Sequence, residues 1–189
     1  MKSTFRNMAV VLGVICLVCS LFLGSVYAVT KGPIDEAGVA KVNDAISKVV
    51  PTFDNVPSEE MMEVDGSDVY VARKGGEVVG YAVKVSSAGF GGPIQMMVGF
   101  TVEGIIYNTS IISHSETPGL GAKIVQCDST VAPPRTQIVG KNPASTKIAV
   151  RKDGGDIDAI TASTITSRAF LKGVSAAYDV FQKIRTDEQ

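Results

Sequence analysis

From Met8 to Val29 the chain reads MAVVLGVICLVCSLFLGSVYAV, without one charged residue. At about 1.5 Å of rise per residue, a helix of this length reaches roughly 33 Å, enough for a hydrocarbon core of about 30 Å. The segment therefore sets the architecture as one N-terminal transmembrane helix followed by a separate domain. Lys2 and Arg6 precede the span, whereas Lys31 is soon followed by Asp35 and Glu36. That bias places the amino terminus in the cytoplasm and the rest on the periplasmic or extracellular side of the cytoplasmic membrane. A cleaved signal peptide ending at VYA competes with this reading, but its apolar region would run only about 7 to 15 residues. The expected division is 1–30 for the cytoplasmic tip and membrane helix, and 31–189 for the extracytoplasmic domain.

The 18 Lys and Arg residues nearly cancel the 19 Asp and Glu residues, so no basic stripe is available for nucleic acid and that class of partner is excluded. Cys16 and Cys19 fall inside the apolar span, where a thiol packs as a small hydrophobe, and they lack the small flanking residues of a lipoprotein signal. Cys127 is then alone, so the exported domain must be held by its core and not by an internal disulfide.

After the span, Val39, Val42, Ile46 and Val49 recur at helical spacing between Pro33 and Pro51, predicting a short amphipathic helix that starts near Pro33. From Asp68 the period drops to two. DVYVARKGGEVVGYAVKVSS and PIQMMVGFTVEGIIYNTSIISH each read as a hairpin, broken at Gly75-Gly76 and Glu103-Gly104, which gives four consecutive antiparallel strands up to His114. STKIAVRKDGGDIDAI reads as a further hairpin across KDGGD, adding two strands. From Thr164 to Arg185, Phe170, Val174, Ala177, Phe181 and Ile184 form one apolar face, as an amphipathic helix requires. The fold class is α+β, an antiparallel sheet with flanking helices behind one membrane span.

Ahead of that last helix stands DAITASTITS, in which Thr161, Ser163, Thr164, Thr166 and Ser167 crowd five hydroxyls into seven positions. One Ser or Thr suffices to cap a helix, a contribution of about 1 kcal/mol. Five leave two readings open: capping within a polar turn, or a phosphate site in which hydroxyls, free amides and the helix dipole meet an anion.

DAITASTITS resembles the flavinylation motif of the FMN-binding domain family: Asp, two residues, Ser or Thr, Gly, Ala, Thr, a variable residue, then Ser or Thr. GFGGPIQMMVGF, followed by GIIYNTSIISHSETPGLGAKI, is similar to the G-subunit family of the Rnf electron-transport complexes. With the membrane span, the resemblance covers nearly the whole chain. It implies an electron relay that carries FMN covalently, joined through its phosphate to the hydroxyl of Thr164 by a flavin transferase that takes FAD and releases AMP. It further implies neighbours in the membrane, the other Rnf subunits and above all the second FMN-bearing one, in a complex that couples electron flow between ferredoxin and NAD to ion movement. Cofactor contacts are expected from Thr161, Ala162, Ser163, Thr166 and Ser167, and from Glu116, Thr117, Leu120 and Gly121. Lys123 is either a cation near the flavin or its phosphate, or a solvated lysine. Ala162 and Ser163 stand where the motif usually has Gly and Ala, and Ala162 is strained if that position needs a positive φ.

The C subunit of the sodium-pumping NADH:quinone reductase shares ETPGLG and the flavinylated threonine, but GFGGPI favours the Rnf family. The remaining alternative is an anchored binding module without redox chemistry, whose hydroxyls only cap a helix. His114 has no second histidine in the sequence and no metal-ligand spacing around it, so neither a hydrolase nor a zinc site is expected, and no residue is assigned a catalytic acid or base role. GFGG, lacking the Lys and Ser/Thr of a P-loop, is a turn between strands. A reporter active only in the cytoplasm, fused after Gln189, is expected to stay silent; strong signal would reverse the orientation, and a mature amino terminus at Val29 would remove the anchor.

Overall fold

A computed structural model describes residues 5–126 and 134–187; Lys2 and Cys127 lie outside them, as does the side chain of Arg6. The chain divides into two compact units, 1–41 and 42–189.

The described residues of the first unit are all helix, most of α1 (Phe5–Val49). Its apolar span is long and apolar enough to cross a membrane, and its side chains are exposed on every face, Leu12, Phe22 and Leu23 among them. Cys16 and Cys19 are free thiols on that surface. The hydroxyls of Ser25 and Thr30 donate back to the carbonyls of Leu21 and Val26, both at 2.8 Å, so neither is left unpaired in a medium without water. The expected helix start at Pro33 is not found, because α1 passes through Pro33 unbroken. Proline's fixed φ fits helical geometry, and the position forfeits one N–H bond without ending the helix. Val39, expected on a packed face, is 59 % exposed.

In the second unit, Ala45, Ile46 and Val49 at the end of α1 are buried. A five-stranded antiparallel sheet follows in the order β1 (Met61–Val64), β2 (Ser67–Lys74), β3 (Glu77–Ala88), β4 (Pro93–Phe100) and β5 (Ile106–Ser113). The four expected strands are β2 to β5. The additional edge strand β1 is joined to β2 by Asp65-Gly66, both at positive φ, as a tight hairpin turn demands. Strand alternation separates two cores. Val69, Val71, Tyr81, Val83, Met96, Val98 and Phe100 face one way, where they meet α3 (Thr164–Asp187). Tyr70, Ala72, Ala82 and Met97 face the other way and cover Ile46, Val49 and Val50.

The further hairpin expected across KDGGD does not form: the structure there has a parallel bridge, Val150 to Ile157, and a 3-10 turn at Arg151–Asp153. Val150 and Ile157 are buried pegs, and Asp153 is tied to Arg168 of α3 at 2.7 Å, so side-chain anchoring replaces the strand ladder. A short α2 (Pro134–Ile138) precedes the closure of the β5 edge, where the Ile106 N–H donates to the Lys141 carbonyl at 2.9 Å and the Gly140 N–H to the Ile106 carbonyl at 2.8 Å.

The apolar face of α3 reads out as expected: Phe170, Val174, Ala177, Phe181 and Ile184 are all buried. Phe181 stacks on Phe100 with centroids 5.1 Å apart and meets Tyr81 edge-on at 5.6 Å. Phe181→Ala is expected to cost about 3–5 kcal/mol, read as a lowered midpoint of chemical denaturation; an unchanged midpoint would refute the packing.

Candidate functional site

Glu116, in the segment after β5, is 5 % exposed. Its Oε1 accepts from the backbone N–H groups of Phe90 and Gly91, at 2.7 and 3.2 Å. Its Oε2 accepts from the Thr166 hydroxyl at 2.5 Å. One carboxyl thus ties together the β3–β4 turn, the segment after β5 and the first turn of α3. The approach is close enough that a Cβ on Gly89 or Gly121 would collide with the carboxyl oxygens, which accounts for glycine at both places. His114 takes part only indirectly, its Nδ1 accepting the Glu116 N–H at 3.2 Å.

The three tied segments enclose a cleft of about 390 Å³ lined by Phe90, Glu116, Thr117, Leu120, Gly121 and residues 162–166. That volume lies in the usual range for small-molecule and cofactor sites, roughly 300–1,000 Å³. Three large apolar side chains stand exposed on it: Phe90 (69 %), Leu120 (43 %) and Ile165 (52 %). Apolar surface gathered in one concavity offers a flat ring system faces to lie against. At one end of the cleft α3 begins. Its first intrahelical bond runs from the Ser167 N–H to the Ser163 carbonyl, so the amides of Thr164, Ile165 and Thr166 precede the ladder and can meet an anion.

The hydroxyl cluster is divided by this geometry. The Ser167 hydroxyl donates to the Ser163 carbonyl at 3.0 Å and accepts the Ile160 N–H at 2.9 Å, and Ser167 does not line this cleft. Thr166 is held by Glu116, and Ser163 is buried. Thr161 and Thr164 lie on a second cleft of about 340 Å³, shared with Val150, Arg151, Lys152, Asp158, Ala159, Ile160 and Ala162. Thr164 and Ala162 line both clefts. Lys123 lines neither; it is exposed on the 3-10 turn Gly121–Ile124. Sequence reasoning misses Phe90 and Ile165, although each carries a signal: an aromatic inside a glycine turn, and an apolar residue off the core stripe of α3. Beside the site, hydrogen bonding to Arg168 holds the Asp153 carboxyl below its ordinary pKa.

Residues 89–179 match the FMN-binding domain family. The chain is 32 % identical to the G subunit of the Na(+)-translocating ferredoxin:NAD(+) oxidoreductase complex of Acetobacterium woodii, over 97 % of this chain and 94 % of that one. It is 34 % identical to the G subunit of the proton-translocating ferredoxin:NAD(+) oxidoreductase complex of Clostridium ljungdahlii, over 89 % and 86 %. Among solved structures, the C subunit of the Na(+)-translocating NADH-quinone reductase of Parabacteroides distasonis matches at 21 % identity and a TM-score of 0.43, covering 70 % of this chain and 74 % of that one. The residues that match the FMN-binding domain family lie within the sheet unit. The chain belongs to the G-subunit family of ion-translocating oxidoreductase complexes, and with the apolar span of α1 it is a membrane-anchored protein.

Ala162, where the family motif usually has glycine, sits at φ +62°. A left-handed residue with a Cβ costs roughly 1–2 kcal/mol, partly offset because glycine loosens the unfolded chain. Ala162→Gly is accordingly expected to stabilise the domain by about 0.5–1 kcal/mol, measured by denaturant titration; a loss of stability would contradict the strain.

Proposed function

We propose that this chain is an electron-relay subunit of an ion-translocating ferredoxin:NAD oxidoreductase complex, with FMN linked through its phosphate to Thr164. One observation carries the assignment to Thr164. Among the hydroxyls of the cluster, Thr166 and Ser167 are engaged internally, while half-buried Thr164 opens α3 on the wall of the cleft that holds Phe90, Leu120 and Ile165. These residues fit the group: the apolar side chains would flank the ring system, Thr117 and the amides opening α3 would hold polar edges, and Thr164 would carry the phosphate. When bound, the flavin supplies the one- and two-electron chemistry; this chain supplies position and surroundings.

Attachment would form a phosphodiester bond between Thr164 Oγ1 and the phosphorus on the FMN side of FAD. The pyrophosphate P–O bond breaks and AMP leaves. An unactivated threonine is a weak nucleophile, so the base that takes the hydroxyl proton belongs to the flavin transferase. The domain faces the periplasmic or extracellular side, and its neighbours are the other subunits of the complex, above all the second FMN-bearing membrane subunit. The relatives, each the G subunit of a translocating oxidoreductase complex, support that setting.

Co-expressed with a flavin transferase and exported, the protein is expected to stay fluorescent after denaturing electrophoresis, with one added FMN on Thr164 by peptide mass spectrometry. Thr164→Val should abolish covalent flavin while leaving the fold intact. Flavin on Thr161 or Thr166, or none in the presence of active transferase, would overturn the assignment.

A further inference from the structure

Among the described residues that line the cleft holding the apolar side chains, none is Lys or Arg, so an anion there meets backbone amides but no cationic side chain. A phosphate on Thr164 carries negative charge at neutral pH, and a charge placed without partner or solvent is costly. The second cleft shares Thr164 with the first and is built differently. Arg151 and Lys152 line it, with the Thr161 hydroxyl beside them.

Two neighbouring cations are already engaged. Arg151 pairs with Asp158 at 2.5 Å, which also quenches the one carboxylate lining this cleft. Arg168 is held by both oxygens of Asp153, each at 2.7 Å. Lys152, exposed and in the same cleft, has no ion pair or side-chain hydrogen bond among the described residues.

We propose that the second cleft is a phosphate subsite in which Lys152 is the counter-ion of the group on Thr164, so that the site has an apolar compartment for the ring system and a cationic one for the phosphate, joined at Thr164. The inference rests on the reading that Thr164 carries FMN, and it moves the cation that sequence pattern offered at Lys123 to Lys152.

The test uses full-length protein in detergent with Thr164→Val, which cannot be modified, and compares binding of FMN with binding of riboflavin, which lacks the phosphate. FMN is expected to bind about tenfold more tightly than riboflavin, and Lys152→Gln to reduce that preference about fivefold without altering riboflavin affinity, as loss of one solvent-exposed charge contact allows. Lys152→Arg should retain the preference. Inorganic phosphate should weaken FMN binding and leave riboflavin binding unchanged; if it binds without displacing FMN, the subsite serves free phosphate and the proposal fails. An undiminished preference in Lys152→Gln, or equal affinities for the two flavins before that change, would overturn the subsite and leave the flavin cleft standing. Binding of neither flavin, with the melting transition retained, would overturn both.

Discussion

The carboxyl of Glu116 is the constraint on which the cleft depends. Its two oxygens take three donors from two distant parts of the chain, and because the carboxyl is itself buried, leaving it without them would cost about 1–3 kcal/mol or more. The β3–β4 turn, the ETPGLG segment and the start of α3 have no common strand ladder to fix them relative to one another. Glu116 supplies that fixing. Through it, the sequence distance between Phe90 and Thr166 becomes a single wall, and the apolar side chains of the cleft are set relative to the first turn of α3.

Thr164 stands at the first residue of a helix whose opposite face is pinned into the core. Phe170, Val174 and Phe181 fix α3 against the sheet, and Ser167 ties the loop before it back to Ser163 and Ile160. Thr164 is therefore rigid by inheritance, while its own side chain is only half buried and stays accessible from two directions. The proposed attachment of FMN to Thr164 would use that combination, since a threonine deep in the core could not be reached and one on a slack loop could not hold a bound group in register with the cleft.

Much of this is legible in the sequence because the periodicities are clean. The meander from β2 to β5 and the buried stripe of α3 follow from spacing alone, and the hydroxyl cluster announces the start of α3. Asp65-Gly66 carries the usual mark of a tight turn, yet β1 is only four residues long and its exposed methionines give no alternation. The KDGGD segment misleads for the opposite reason: Val150 and Ile157 are apolar because they plug the core individually, so they mimic a strand pattern without pairing as strands. Pro33 reads as a beginning although a helix already under way can absorb it. Tertiary placement is beyond reach, and with it the engagement of Glu116 by backbone amides and the presence of Arg151 and Lys152 beside Thr164, since no local pattern encodes either.

The closure of β5 by residues 140 and 141 has a consequence for assembly. The outer strand of an open sheet is a template on which any extended chain can add by main-chain hydrogen bonding, without regard to its side chains. Here the backbone of Ile106 already has partners in Gly140 and Lys141, and the Thr109 carbonyl accepts the Arg135 guanidinium at 2.9 Å. At the Ile106 end of that edge an indiscriminate mode of association is closed off, so a neighbouring polypeptide would have to recognise the domain there by the chemistry and shape of its side chains. There, a sticky border becomes a selective one.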